Sequence, residues 1–134
     1  MSEQNRVMGV VFMVVGGFML VTAAASVWFT SQFRKTAQRA DGVVKELNHG
    51  PAHPQIEFKL PSGETHEFPA NGWISYRQGQ RAKVLYTMDQ EGVDEARLDD
   101  GGDLWYSAVS RTGLGLVFLV VGAIARRRSA LKGQ

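Results

Sequence analysis

The sequence predicts a membrane α+β protein, in which a two-helix transmembrane hairpin carries a small inserted antiparallel β-domain of about five strands, barrel- or sandwich-like. Three observations support this fold class. Residues 7–29 are 23 consecutive uncharged residues, residues 104–125 form a second apolar segment, and the region between them alternates short apolar and polar runs. The middle is also acidic, with 12 Asp and Glu against 9 Lys and Arg in residues 30–106, so the positive charge of the chain lies mainly beside the apolar segments.

The first predicted element after a cytoplasmic tail at residues 1–6 is a transmembrane helix. At a rise of about 1.5 Å per residue, residues 7–29 can cross a hydrocarbon core of about 30 Å. A cleaved signal peptide is the alternative, because Arg6, the apolar stretch and the three alanines at residues 23–25 resemble a charged start, an apolar region and a cleavage site. The uncharged run exceeds the usual apolar region of about 7–15 residues, which favours a retained helix.

The middle of the chain is predicted to be a basic linker at residues 30–40 followed by a β-domain at residues 41–103. The alternating patterns place strands at residues 42–47, 55–60, 64–68, 80–87 and 95–98, with a hairpin turn at residues 61–63. Leu85 makes the fourth strand apolar on part of both faces, which predicts a central position in the sheet. We expect residues 99–103 to be a polar hinge, and the core to be closed by Phe68, Trp73, Tyr76 and Tyr86.

The second predicted transmembrane helix, residues 104–125, is less regular than the first. Residues 112–125 contain no charge but number only 14, so the span needs the preceding residues and includes Arg111. Because the long stem of an arginine can reach the headgroups, we expect Arg111 to be an interfacial anchor and not part of an ion pathway. Trp28, Trp105 and Tyr106 are expected to anchor the helices at the same interface.

Glycine spacing predicts how the two helices pack. Gly9 and Gly16 are seven residues apart in the first span, and Gly115 and Gly122 are seven apart in the second. In an antiparallel pair this spacing lets glycine face glycine, and small residues are the usual packing surface between helices in lipid. The alternative is that glycine is simply common in membrane helices.

The flanking charges predict the orientation. Arg6 and the residues of a basic tail at 126–134, which contains Arg126, Arg127 and Arg128, indicate that both termini are cytoplasmic. The predicted location is therefore the plasma (inner) membrane, with two passes and an extracytoplasmic β-domain. Arg34, Lys35 and Arg39 favour the reverse orientation, but long translocated loops follow the charge rule weakly.

The order of these features resembles a known family. The first span is followed by Ala40-Asp41-Gly42-Val43-Val44, a strand at residues 54–58, Tyr76-Arg77-Gln78-Gly79-Gln80 leading to Val84-Leu85-Tyr86, then Glu95-Ala96-Arg97-Leu98 and the second span. From about residue 7 to residue 125 the chain resembles the DUF3592 family of bacterial membrane proteins of unknown function. It departs after Tyr86, where members often continue with Asp-Pro and Asn-Pro. The resemblance implies a two-span anchor with a β-domain between the spans, and it supplies no site residues.

The residue pattern gives little support to an enzyme. His49 and His53, with His66, are candidates for a three-histidine metal site, but prolines and glycine keep the first pair in a loop and no ligand motif is matched. The acidic run at residues 99–103 lacks the spaced carboxylates of a calcium loop. The chain has no cysteine, which excludes disulfides and thiolate chemistry. We therefore expect no catalytic residue, no metal and no cofactor.

The leading functional hypothesis is a non-enzymatic, membrane-anchored adaptor whose extracytoplasmic β-domain docks a protein partner of the envelope. The alternatives are an immunity-type membrane protein that protects against a secreted or pore-forming toxin, and an accessory subunit of a membrane transport complex. The expected partners are membrane lipid and a protein, and a homo-oligomer is compatible with the sequence. Nucleic acid is not expected, because its binding needs Lys and Arg gathered on one folded surface.

Overall fold

The computed structural model describes residues 2–132, which contain three helices and five strands. In chain order these are α1 (Ser2–Thr36), β1 (Gln38–Leu47), β2 (Pro54–Lys59), β3 (Thr65–Pro69), β4 (Arg81–Met88), β5 (Val93–Leu98), α2 (Gly101–Leu104) and α3 (Tyr106–Lys132). Met1, Gly133 and Gln134, which belong to the two predicted tails, lie outside the described residues. The chain forms two compact units, one from the two long helices and one spanning Trp28–Tyr106.

The helical unit contains the parts of α1 and α3 that the uncharged segments predict. Both α1 and α3 are long and apolar enough to cross a membrane. Their apolar side chains are mostly exposed, with Phe18 and Val21 each 69% accessible. An apolar surface of this extent is unusual for a helix of a water-soluble protein, because such a helix buries its apolar stripe.

The second unit is built on one five-stranded antiparallel sheet with the strand order β3-β2-β1-β4-β5. β1 is the central strand, and β4, which Leu85 predicts to be central, lies next to it as an internal strand. The sheet is curled, so that the two edge strands β3 and β5 come into contact. Its inner face holds the core, in which the largest fully buried side chains include Ile56, Phe58 and Tyr86. The predicted layout of two long helices around a small antiparallel β-domain is thus confirmed, with a single curled sheet in the middle.

Gly42 allows β1 to pack closely against its neighbours in the middle of the sheet. The residue pairs with Phe58 of β2 and with Ala82 of β4. A Cβ atom at this position would lie 2.9 Å from Cγ2 of Val84 and 3.0 Å from the main-chain oxygen of Glu57. Any larger residue would therefore push β1 away from the core of the domain.

Most of the predicted linker is helical in the structure. α1 continues through residues 30–36 and is followed almost directly by β1, which begins at Gln38, four residues before the predicted strand. Phe33 is buried with Leu85 and Leu104 in a small cluster on the outer face of the sheet. The guanidinium carbon of Arg97 lies 5.5 Å from the centre of the Phe33 ring. The last turns of α1 are ordered because they pack on β4 and β5, which a pattern of local charges does not reveal.

The predicted polar hinge at residues 99–103 is also ordered. Its acidic side chains cap and fold the short helix α2: the Asp100 carboxylate accepts a hydrogen bond of 2.8 Å from the main-chain N–H of Gly102. Asp103 accepts one of 3.0 Å from the main-chain N–H of Leu98. The predicted polar hinge therefore contains a short capped helix, because these carboxylates satisfy main-chain donors between β5 and α3.

Two further boundaries differ from the sequence prediction. α3 begins at Tyr106 and runs to Lys132, so it starts two residues after the start of the predicted span and includes the arginines of the predicted basic tail. Trp73 does not close the core, since it is 61% exposed, whereas Phe68 and Tyr86 are buried as expected and Tyr76 is half-buried. Trp73 lies in the loop between β3 and β4, where no periodic pattern specifies which side chain faces inward.

Candidate functional site

The glycines of the two long helices lie against one another in the predicted register. A Cβ atom added to Gly9 would lie 3.0 Å from the main-chain oxygen of Gly122, and one added to Gly16 would lie 2.7 Å from that of Gly115. Helix backbones approach this closely only where both helices present small residues. We call these paired positions the glycine seam.

The same register extends the seam by one pair that the sequence reasoning missed. Ala23 and Ala108 continue the seven-residue spacing of the glycines, and they are only 3% and 4% exposed. Near the other end, the rings of Phe12 and Phe118 lie 5.5 Å apart. Extending the glycine spacing to alanine would have found Ala23 and Ala108, because alanine is also small enough for close helix packing.

The residues predicted to anchor the helices at the membrane interface have different surroundings in the structure. Arg111 donates a hydrogen bond of 3.0 Å to the hydroxyl of Ser26 on the facing helix. Trp28 is largely exposed on α1, whereas Trp105 packs partly against the cluster around Phe33. Tyr106, the first residue of α3, is 38% exposed. The four residues predicted to set the orientation are all exposed positions on the two long helices: Arg6 lies on α1, and Arg126, Arg127 and Arg128 lie on α3.

The three histidines are not brought together. The rings of His49 and His53 lie 6.0 Å apart in the loop between β1 and β2. His66 is on β3, with its ring 5.5 Å from that of Phe58. Within residues 2–132, no group of three or more His, Asp or Glu side chains is arranged to hold a metal ion.

An open groove of about 790 Å³ lies on the outer face of the sheet. It crosses β2, β1 and β4, and Val43 lies between charged side chains of all three strands. We call it the outer groove; its charged lining residues are Asp41, Glu57, Lys59, Arg81 and Lys83. Alternation along the strands predicts that these residues face outward, but the outer groove emerges only once strand order is known, because it joins three strands that are not consecutive in sequence.

Ion pairs neutralise part of the outer groove. Lys83 pairs with Asp41 and lowers the pKa of that carboxyl group, mainly through their hydrogen bond. At its edge, Lys45 pairs with Glu67 and lies 3.9 Å from Glu57. The hydrogen bond with Glu67 raises the pKa of Lys45 and lowers that of the glutamate. Among the described residues, no carboxylate lies within salt-bridge distance of Lys59 or Arg81, so the outer groove keeps two unpaired positive charges.

A second set of titratable groups lies around α2. The Tyr76 hydroxyl donates a hydrogen bond of 3.0 Å to Asp100, and burial together with this carboxylate raises the pKa of Tyr76 to about 12. Burial raises the pKa of Asp103 to about 6, against the opposing effects of the Leu98 N–H and the Arg97 charge. These groups are bonded to one another and to the main chain, and they hold α2 in place.

The fold defines a class of small proteins that pair two long apolar helices with a small antiparallel β-domain. The chain is 36% identical over 116 residues to the immune protein Tsi4 of Pseudomonas aeruginosa, an alignment that covers 86% of this chain and 74% of the relative. The chain therefore belongs to the Tsi4 immune protein family. No family model matches the chain, and no solved structure matches it.

Proposed function

We propose that this chain is a membrane-inserted immunity protein, which protects its cell by binding a secreted protein toxin through the β-domain. The observation that carries the proposal is its 36% identity, over most of both chains, to an immune protein. This favours the immunity hypothesis over the general adaptor, since an immunity protein is a binding protein with a specified kind of partner. A non-enzymatic role agrees with the family.

Membrane insertion is part of the proposal. It is supported by two helices of sufficient length and apolarity, by their exposed apolar side chains and by the glycine seam. Under the positive-inside rule, both termini are cytoplasmic and the β-domain is extracytoplasmic. A toxin entering the envelope would then meet the β-domain before or at the membrane. Resemblance to the DUF3592 family agrees with this arrangement and stays a prediction.

We place toxin binding at the outer groove, where Lys59 and Arg81 are exposed without carboxylate partners among the described residues. Unpaired cations favour an acidic segment of the partner, because a carboxylate there gains a charge-assisted hydrogen bond without breaking an existing ion pair. The ion pairs that flank these cations, Lys83 with Asp41 and Lys45 with Glu67, help to fix the shape of the outer groove.

Growth competition between sibling strains tests immunity even while the toxin is unidentified. A strain that lacks this chain is grown in contact with its parent, and separately in pure culture. We expect the deletion strain to be outcompeted in contact, and the full-length chain supplied from a plasmid to restore it. Equal growth of the two strains in contact, under conditions where the chain is produced, would contradict the immunity function.

Charge reversal then tests the binding surface. In the complemented strain, the double variant Lys59→Glu/Arg81→Glu should be produced at the normal level and should lose protection. Lys35→Glu, which makes the same type of change at the exposed end of α1, is the matched control and should protect fully. If the double variant also protects fully, the toxin binds elsewhere, while the immunity function itself is unaffected.

A further inference from the structure

Trp73 combines unusual exposure with a fixed position. It lies in the loop between β3 and β4 and is 61% exposed, although the indole is one of the largest apolar side chains in the domain. Its ring packs perpendicular to that of Tyr106, with the ring centres 5.3 Å apart. Tyr106 is the first residue of α3, the second candidate membrane span. Trp73 is therefore placed where the chain enters its second long apolar helix.

The backbone holds the loop in this position. The main-chain N–H of Trp73 donates a hydrogen bond of 3.1 Å to the oxygen of Gly102 in α2. Gly72 has a φ of +140°, and a Cβ atom there would lie 2.3 Å from the same oxygen. A Cβ atom on Gly102 would lie 2.1 Å from the main-chain oxygen of Trp73. The two backbones thus cross in direct contact, and Ile74, the next residue, is buried in the core.

We infer that Trp73 is a membrane-interface residue, so that the loop between β3 and β4 rests in the lipid headgroup layer beside the start of α3. The inference rests on the membrane insertion included in the proposed function. The occupant is lipid because the exposed indole is continuous with Tyr106 at the beginning of a span. Tryptophan is favoured at this depth, since its ring prefers the boundary of the apolar region while its N–H can bond to water or headgroups.

This position would give the β-domain a contact with the bilayer besides its two covalent connections. Trp28 and Phe29, both largely exposed on α1 within the same compact unit, present further aromatic surface. A loop tryptophan with neighbouring aromatic residues is the composition expected of a belt at one membrane interface. The alternative occupant of this surface is the toxin itself. In that case Trp73 would be exposed to water when the protein is in a bilayer without the toxin.

Fluorescence of the full-length protein in phosphatidylcholine vesicles tests the inference. The chain has three tryptophans, so the double variant Trp28→Phe/Trp105→Phe reports on Trp73 alone. We expect its emission to be blue-shifted relative to free N-acetyltryptophanamide, and to be quenched several-fold more strongly by lipids brominated near the headgroup than by aqueous acrylamide. Because the protein leaves most of this indole uncovered, protection from acrylamide would have to come from lipid.

A second variant separates this inference from the proposed insertion. Trp73→Phe/Trp105→Phe leaves only Trp28, which reports on α1. Quenching of both tryptophans by brominated lipid supports the inference. Quenching of Trp28 with a water-like, acrylamide-sensitive Trp73 overturns it and leaves insertion intact, which would favour the toxin as the partner of this loop. No quenching of either tryptophan by brominated lipid overturns both proposals.

Discussion

At the scale of single residues, Asp103 illustrates how a carboxylate in a segment of polar composition becomes part of the interior. It follows Asp99, Asp100 and two glycines, a composition typical of a solvated connection. In the structure it accepts a hydrogen bond from the Leu98 N–H, and burial raises the pKa of its carboxyl group to about 6. The Arg97 charge opposes the shift and Asp100 adds to it.

This shift predicts a dependence of stability on pH. The ordinary pKa of Asp103 is 3.8 and the folded value is about 6, so the folded protein holds the proton more tightly than the unfolded chain. Stability from this group is therefore present at low pH and is lost as the pH rises through 6. We expect its contribution to the free energy of unfolding to increase by about 1–2 kcal/mol between pH 7 and pH 5.

Asp103→Asn should remove this part of the pH dependence, because the amide is neutral throughout and its oxygen can still accept from Leu98. The measurement is denaturant unfolding of the detergent-solubilised protein at pH 5, 6 and 7. Asp94→Asn, at an exposed position of β5, is the control and should keep the wild-type slope. An unchanged slope in Asp103→Asn would assign the pH dependence to another group.

Residue environments were predictable where a strand pattern fixes them. Phe68 and Tyr86 are buried because each lies on the face of its strand that the alternating pattern assigns to the core. Trp73 was wrongly expected to close the core, and the helix that contains Asp103 was not predicted, because both depend on contacts with distant segments. The unpaired cations of the outer groove could be predicted as outward-facing, but their shared groove depends on the order of β2, β1 and β4.

At the scale of elements, the packing of Gly16 in the glycine seam can be compared with that of its neighbour Gly17. A Cβ atom on Gly16 would lie 2.7 Å from the main-chain oxygen of Gly115, whereas one on Gly17 would have no neighbour within 4 Å. Gly16→Ala should therefore weaken the packing of α1 on α3 by about 1–3 kcal/mol, as expected for an overpacked interface. Gly17→Ala should be neutral or slightly stabilising, since alanine is the better helix former.

Cross-linking checks this prediction directly. The chain has no cysteine, so Phe12→Cys/Phe118→Cys introduces a unique pair at positions whose rings lie 5.5 Å apart. A short bifunctional reagent should join the pair less efficiently when Gly16→Ala is added, and equally well when Gly17→Ala is added. Equal efficiency in all three backgrounds would contradict close packing at the seam.

Arg97 connects the last turns of α1 to the sheet. Its guanidinium bonds to Glu95 at 2.6 Å and to the Thr30 hydroxyl at 3.4 Å while it lies over the ring of Phe33. Lysine cannot reproduce these planar contacts, so Arg97→Lys should destabilise the domain by about 1 kcal/mol. Arg81→Lys, at an exposed position of β4, should have little effect. Thermal unfolding in detergent measures both, and equal stability of the two variants would exclude a structural role for the planar group.

At the scale of the whole molecule, charge is distributed by segment. Residues 30–106 carry a net charge of −3, from 9 Lys and Arg against 12 Asp and Glu, while the remaining residues carry +5, from 6 against one. The apolar lengths, the two-part organisation and the sheet composition could be predicted because each is a property of contiguous sequence. The ordered junctions at residues 30–36 and 99–103 could not, because α1, α2 and β5 stabilise them jointly.

Single introduced cysteines can test the predicted orientation in the membrane, because the chain has no cysteine of its own. Ser62→Cys lies in the exposed turn between β2 and β3, and Gln4→Cys lies in the exposed first turn of α1. A membrane-impermeant maleimide added to intact spheroplasts should label Ser62→Cys and leave Gln4→Cys unlabelled, because the bilayer shields the cytoplasmic terminus. Detergent should make both variants react equally, which controls for the reactivity of each cysteine.

The reverse labelling pattern would invert the topology and remove the β-domain from the path of a toxin arriving from outside. Labelling of both variants in intact spheroplasts would contradict a two-span hairpin. Loss of the Gln4→Cys label even in detergent, with a shortened mature chain, would show that the first helix is a cleaved signal.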